Sequence, residues 1–137
     1  MIAWANQAGL ESELPLPDAD ALGTLQYTGG TTGRAKGVNL TNRSIAINIA
    51  QREALVPARV DLERMLCVMP LFHVYASHVC LHTMAYARGC MVILPRYHPD
   101  DTLRAIAEEK ITVFAGSPTI FTSLLNHEKF AASDLSS

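Results

Sequence analysis

Residues 27 to 38 read Tyr-Thr-Gly-Gly-Thr-Thr-Gly-Arg-Ala-Lys-Gly-Val. Three glycines and three threonines fill the six positions Thr28, Gly29, Gly30, Thr31, Thr32 and Gly33, and Lys36 follows. Glycine lets the backbone approach a ligand closely and take up positive φ. Threonine hydroxyls donate to anionic oxygens, and lysine adds a mobile positive charge. Bare amides, hydroxyls and one cation in a short loop suit a phosphate group. A tight turn between two strands would use Gly-Gly as well, but it needs neither three hydroxyls nor a lysine. Two familiar phosphate fingerprints are excluded. Ala35 and Gly37 flank the lysine where a Walker A loop needs glycine before it and serine or threonine after it. The spacing of Gly29, Gly30 and Gly33 does not match G-x-G-x-x-G.

A second group of chemically able residues lies between 67 and 82. His78 and His82 stand four apart, with His73 earlier and Cys80 between them. Such spacing can hold zinc, but the glutamate of H-E-x-x-H and paired cysteines are missing. Packing histidines in a core helix is the plainer reading, and no metal site is expected. A Ser77, His73, Asp100 triad can be drawn, yet there is no G-x-S-x-G elbow. His73 is singled out because it follows Pro70-Leu71-Phe72 at the C-terminal end of a strand, where open α/β sheets place ligands. Tyr27 is read as packing beneath the glycine loop rather than touching ligand, and Arg34 as a solvated loop charge rather than a nucleotide contact. Asp100, Asp101, Glu108 and Glu109 are read as a solvated helix face.

These groups need elements to hold them. Leu25 to Thr28 reads as a strand entering the loop, and Val38 and Leu40 as a strand leaving it. Thr41 or Asn42 caps a helix to about Leu55, with Ile45, Ala46, Ile49, Ala50 and Ala54 along one face. Met65 to Met69 reads as a buried strand, and His73 to Arg88 as an interior helix stopped by Gly89. Cys90 to Leu94 is a further buried strand, ended by Pro95. Pro99 opens a helix to about Lys110, with Asp100 and Asp101 favouring its dipole. Ile111 to Ala115 is the next strand, and Ile120 to Leu125 starts the last helix. This alternation predicts an α/β fold, a mostly parallel sheet with helices on both faces. Residues 1–20, with Pro15 and Pro17, read as an extended or poorly ordered lead-in with a short helix near Trp4.

Composition narrows the function. The 137 residues suffice for one domain with a core. A net charge of −2 with 18% charged residues offers no basic field for nucleic acid. Cys67, Cys80 and Cys90 form no even disulfide framework, which suits reduced thiols in a cytoplasmic setting. Cys67 and Cys90, in buried strands, are expected to be inert. The N-terminus lacks a signal-peptide pattern. Met65 to Ala87 has no charged residue over 23 positions, long enough to cross a bilayer. Pro70, Ser77 and the histidines interrupt it, so a buried strand, a turn and a helix account for the run. Peripheral membrane association stays open.

The glycine loop resembles the phosphate-loop signature of the adenylate-forming (AMP-binding) superfamily, which usually runs Y-T-S-G-T-T-G-x-P-K-G-V. Gly29 replaces its serine and Ala35 its proline. Leu25-Gln26 before a Gly29-type loop is closest to the long-chain fatty acyl-CoA ligase branch. Met69-Pro70-Leu71-Phe72-His73 resembles the family's L-P-L-F-H motif. Gly116-Ser117-Pro118-Thr119 resembles the segment bordering the acyl pocket, and Ser133 to Ser137 the lead-in to a Gly-Gly-Ala-Pro-type loop. The resemblance covers roughly residues 20 to 137.

The resemblance implies acid activation. A carboxylate attacks the α-phosphate of MgATP, giving an acyl-adenylate and pyrophosphate, and coenzyme A then displaces AMP. Thr28, Gly29, Gly30, Thr31, Thr32, Gly33 and Lys36 would hold the ATP phosphates. His73 would sit at the carboxylate side, and Gly116 to Thr119 at the pocket wall. ATP, fatty acid and coenzyme A are the partners so implied. The family's later motifs, including its Mg2+-binding acid and catalytic lysine, have no match here. The implied arrangement is a lead-in, 1–20, and a partial adenylation domain, 21–137, truncated at both ends. Such a piece is expected not to turn over alone, and its uncovered faces and sheet edge favour homo-oligomers. Two further readings stay open: a non-catalytic nucleotide- or phosphate-binding module, and a flavodoxin-like interaction domain whose glycine loop is only a turn.

Overall fold

The computed structural model describes residues 16–29 and 33–137. The expected helix near Trp4 and the loop tip Gly30 to Thr32 lie outside the described residues.

Strands β1 (Leu22–Thr28) and β2 (Lys36–Thr41) form an antiparallel two-stranded sheet. Both were expected as strands. Their register sets Thr28 opposite Lys36 and Gln26 opposite Val38, so the glycine loop closes a hairpin. Helix α1 (Asn42–Leu55) follows at once. Thr41 is its N-cap, the Ser44 amide donating to Thr41 Oγ1 at 3.2 Å. The expected apolar face of α1 is covered only in part. No residue of the helix is buried, and Ile45 and Ile49 are half-buried. Nothing among the described residues lies over its outer side.

The second sheet is parallel and has the order β4 (Cys90–Ile93), β3 (Arg64–Cys67), β5 (Val113–Phe114). Its core divides by the two-residue alternation of β3. Leu66 and Val68 face α3 (Pro99–Glu108) and α4 (Pro118–Leu125), packing with Leu103, Ala105, Ile111, Ile120 and Leu124. Met65 and Cys67 face the opposite side, against Ala76, Cys80, Met84 and Ala87. Helices therefore cover both faces of a parallel sheet, as the strand–helix alternation requires.

Four expectations change in detail. The segment after His73 is not one regular α-helix: Ala76–His82 is π-helical and only Thr83–Ala87 (α2) is α-helical. It is buried on one side only, since Leu81 and Tyr86 are exposed. Gly89 ends it by space rather than by a left-handed backbone. Arg88 takes the positive φ, 49°, while a Cβ on Gly89 would stand 2.7 Å from the Glu63 carbonyl and 2.8 Å from Met84 Sδ. Cys90 is exposed rather than buried, because β4 is an edge strand. The last helix begins at Pro118, two residues before Ile120, with proline in its first turn.

At the N-terminal edge of β3, buried Glu63 joins three segments. Its carboxylate accepts from the Arg59 amide at 2.9 Å, from Arg59 Nε at 3.1 Å and from the Thr112 hydroxyl. Thr112 Oγ1 accepts in turn from the Arg64 amide at 2.9 Å. The Arg59 guanidinium holds the Glu63 carboxyl down at about 2 against the opposing effect of burial.

Candidate active site

The hairpin presents both described flanks of the glycine loop to solvent. Thr28, Gly29, Gly33, Arg34 and Lys36 are all exposed. Gly33 has φ +81°, which side chains rarely adopt, and a Cβ built on Gly29 or Gly33 meets no atom within 4 Å. Both glycines thus face open space. Thr28 and Lys36 face each other across its mouth, Thr28 Oγ1 lying 3.5 Å from the Lys36 carbonyl. Among the described residues no carboxylate pairs with Lys36 or Arg34. Cations without a carboxylate partner among the described residues, beside exposed glycines, are the kind of donor set that suits a polyphosphate.

His73 comes to the same place from the other sheet. After β3 the chain turns at Pro70, the His73 amide donating to the Pro70 carbonyl at 2.9 Å. The His73 ring is held by the Tyr75 amide, which donates to its Nδ1 at 3.2 Å. That contact leaves Nε2 as the protonated nitrogen of the neutral ring. Gln26, Tyr27, Thr28 and Gly29 line a cleft of about 310 Å³ together with Phe72, His73 and Val74. Tyr27 is therefore exposed on the cleft, 63% accessible, and not packed beneath the loop as expected. His73 also borders a larger cleft of about 550 Å³ against α1, where Leu40, Ser44 and Asn48 face Val74, Tyr75 and Val79. Ser44 and Asn48 carry no motif and escaped notice in the sequence, since only the docking of α1 brings them to this space.

Gly116, Ser117, Pro118 and Thr119 leave β5 at the edge from which Met69 to His73 leave β3, because the two strands run parallel. They line neither cleft at His73. Gly116 is half-buried against Ile120 and Phe121, and the other three are exposed at the start of α4. The structure thus brings Thr28, Gly29 and His73 together and leaves Gly116 to Thr119 apart on a shared edge.

The competing arrangements do not assemble. No group of three His, Cys, Asp or Glu side chains among the described residues is placed to hold a metal ion. His78 and His82 meet edge to face at 4.7 Å. Burial, with His78 alongside, lowers the pKa of His82, whose Nδ1 is buried without a partner. Ser77 Oγ lies 3.1 Å from the Val74 carbonyl and from His78 Nδ1, and Asp100 pairs with Lys129 at 2.7 Å, so no Ser77, His73, Asp100 triad exists. Asp101 pairs with Arg104 and Glu109 with Arg64, as a solvated face requires. Burial pushes the Cys80 thiol up to about 12, with Cys67 beside it, which makes Cys80 a poor nucleophile. No described helix is long and apolar enough to cross a membrane.

Comparison with known proteins agrees with this geometry. The family model for AMP-binding enzymes matches residues 3–137. The chain is 38% identical over 122 residues to a long-chain-fatty-acid–CoA ligase of Bacillus subtilis, covering 88% of this chain and 22% of the relative. It is 35% identical over 117 residues to a feruloyl-CoA synthase of an Amycolatopsis species, covering 82% of this chain and 23% of that protein. Among solved structures it superposes on ATP-bound MatB of Rhodopseudomonas palustris with a TM-score of 0.74 and 30% identity, over 93% of this chain and 25% of the other. The chain therefore spans about a quarter of the length of these relatives. With the hairpin loop, the histidine turn and the parallel sheet in place, the chain belongs to the AMP-binding enzyme family.

Proposed function

We propose that this chain is the phosphate-loop portion of an ATP-dependent acid–CoA ligase. Thr28, Gly29, Gly30, Thr31, Thr32, Gly33 and Lys36 take the β- and γ-phosphates of ATP and orient them as the leaving pyrophosphate. Both described flanks of that loop are exposed: the Thr28–Gly29 flank shares a cleft with His73, and the Gly33–Lys36 flank carries Arg34 and Lys36 with no carboxylate partner among the described residues. This juxtaposition carries the reading. A carboxylate oxygen attacks the α-phosphorus, the bond to the bridging oxygen breaks, and pyrophosphate leaves with the electron pair. Charge builds on that leaving group, so ammonium, amide and hydroxyl donors fixed around it lower the barrier. His73, with Nε2–H free to donate, serves the carboxylate side. Coenzyme A then attacks the acyl carbon and AMP departs.

Magnesium enters this reading as the counter-ion of ATP. The described residues supply no set of ligands for it. Residues 21–137 act as a partial adenylation domain, with residues 1–20 as its lead-in. Gly116 to Thr119 stand as pocket wall, on the sheet edge that His73 also uses. The acid is a long-chain fatty acid. The Leu25-Gln26 lead into a Gly29-type loop supports this assignment, as does the 38% identity to a long-chain-fatty-acid–CoA ligase. The feruloyl-CoA synthase relative makes an aromatic acid the competing substrate.

ATP–pyrophosphate exchange on the whole reading frame that encodes these residues tests the proposal. Exchange that depends on a long-chain fatty acid, and falls with Lys36→Ala, is expected. Exchange driven only by aromatic acids contradicts the substrate, and no exchange with any acid contradicts the reaction.

A further inference from the structure

The two halves of the candidate site lie on two different sheets. The glycine loop closes the β1–β2 hairpin, whereas His73 follows β3. The hairpin strands bond to each other, and the turn at Asp18 ties to the start of α1. Among the described residues a single hydrogen bond joins the hairpin to the parallel sheet or its connections. Gln26 Nε2 donates to the Phe72 carbonyl at 3.0 Å, across 46 positions of sequence. The same nitrogen lies 3.2 Å from the Tyr27 carbonyl. One amide group therefore touches the residue before His73 and the residue before Thr28.

We infer that Gln26 is a positioning residue, which sets the distance between the phosphate loop and His73 without itself binding nucleotide. The inference rests on the phosphate-binding reading above. Its physical basis is registration. In-line attack needs the carboxylate and the α-phosphate in a near-attack arrangement, and a displacement of about 1 Å costs on the order of 100-fold in rate. A two-stranded hairpin is marginal by itself. This one packs on α1, which touches the π-helical segment beyond His73. That apolar packing leaves the loop end of the hairpin without a polar tie other than Gln26 among the described residues. Gln26 adds a polar tie: its side-chain amide nitrogen lies within hydrogen-bond distance of carbonyls on the two sides of the cleft. Without its donor, phosphate still binds the loop, but binding no longer reaches His73.

The test is an NMR titration of the 137-residue chain with MgATP, following the His73 ring Hε1 signal, assigned with His73→Asn, together with the Gly33 amide. In the parent chain both signals should move along one saturation curve. Gln26→Met keeps the length and removes the donor. Gln26→Glu is ionised at neutral pH and cannot donate either. In both variants the Gly33 curve should keep its midpoint within twofold, while the His73 shift falls to less than one third. A His73 response that survives in both variants overturns the inference. So does loss of the Gly33 response with it, for Gln26 would then be a binding or folding residue. A parent chain in which neither signal responds to MgATP removes the phosphate reading and this inference together, an outcome distinct from the other two.

Discussion

At the mouth of the glycine loop, Lys36 stands opposite Thr28 with no carboxylate partner among the described residues. A lysine left solvated by the fold is available to a ligand. Buried Glu63 is the opposite case, with its charge spent on Arg59 and Thr112. Glu63→Gln should cost about 2 kcal/mol of stability, the scale of a lost hydrogen bond to a charged group, read by urea denaturation. The pH dependence has a definite sign. The folded Glu63 pKa, about 2, lies below its ordinary value of 4.5. Its contribution is complete above about pH 4.5 and is lost as pH falls towards 2. His82 acts higher. Its folded pKa is lowered from 6.5 by burial, so its contribution is present above pH 6.5 and declines as pH falls below that. Replacing His82 with Phe should flatten the stability profile just below pH 6.5, measured as Tm against pH. At this scale the loop and His73 stood out in the sequence because their residue types are unusual together. Ser44 and Asn48 did not, and Gln26 stood out only for its place before the loop, since their neighbours across the clefts come from contacts distant in sequence.

Elements were read best where local chemistry decides them. Thr41 as N-cap, Pro95 after β4 and Pro99 opening α3 all stand as their side chains dictate. The antiparallel pairing of β1 with β2 was not legible, because the loop that joins them was read for its ligand rather than for its turn. The π-helical stretch Ala76–His82 was hidden for another reason: the same apolar residues satisfy an α- or a π-helical path, and packing on β3 selects between them. Gly89 shows a correct boundary with a different cause. Its role is the close approach of Glu63 and Met84. Gly89→Ala should therefore destabilise the chain by about 1–3 kcal/mol through overpacking, whereas Gly29→Ala, in open space, should leave Tm within a degree or two.

On the scale of the whole molecule, the described core is confined to the two faces of β3, and much apolar surface is left outside it. Leu55 is 83% and Phe72 82% exposed, and α1 buries no residue. Such surface favours association. Sedimentation equilibrium of the isolated chain should show mass rising with concentration, and Leu55→Glu with Phe72→Glu should reduce it. The parallel sheet and its two helical layers were legible from strand–helix alternation, because the 2 and 3.6 residue periods survive in short segments. The uncovered α1 was not, since periodicity marks an apolar face without saying what meets it.

The central claim is that the open loop of the β1–β2 hairpin takes the triphosphate of a nucleotide. Calorimetric titration of ATP into the chain, set beside the same titration of Lys36→Ala, tests it most directly. The account predicts saturable binding that inorganic pyrophosphate displaces and that the substitution weakens about tenfold, ~1.4 kcal/mol. Equal affinity in the two proteins, or no heat of binding in either, would contradict it.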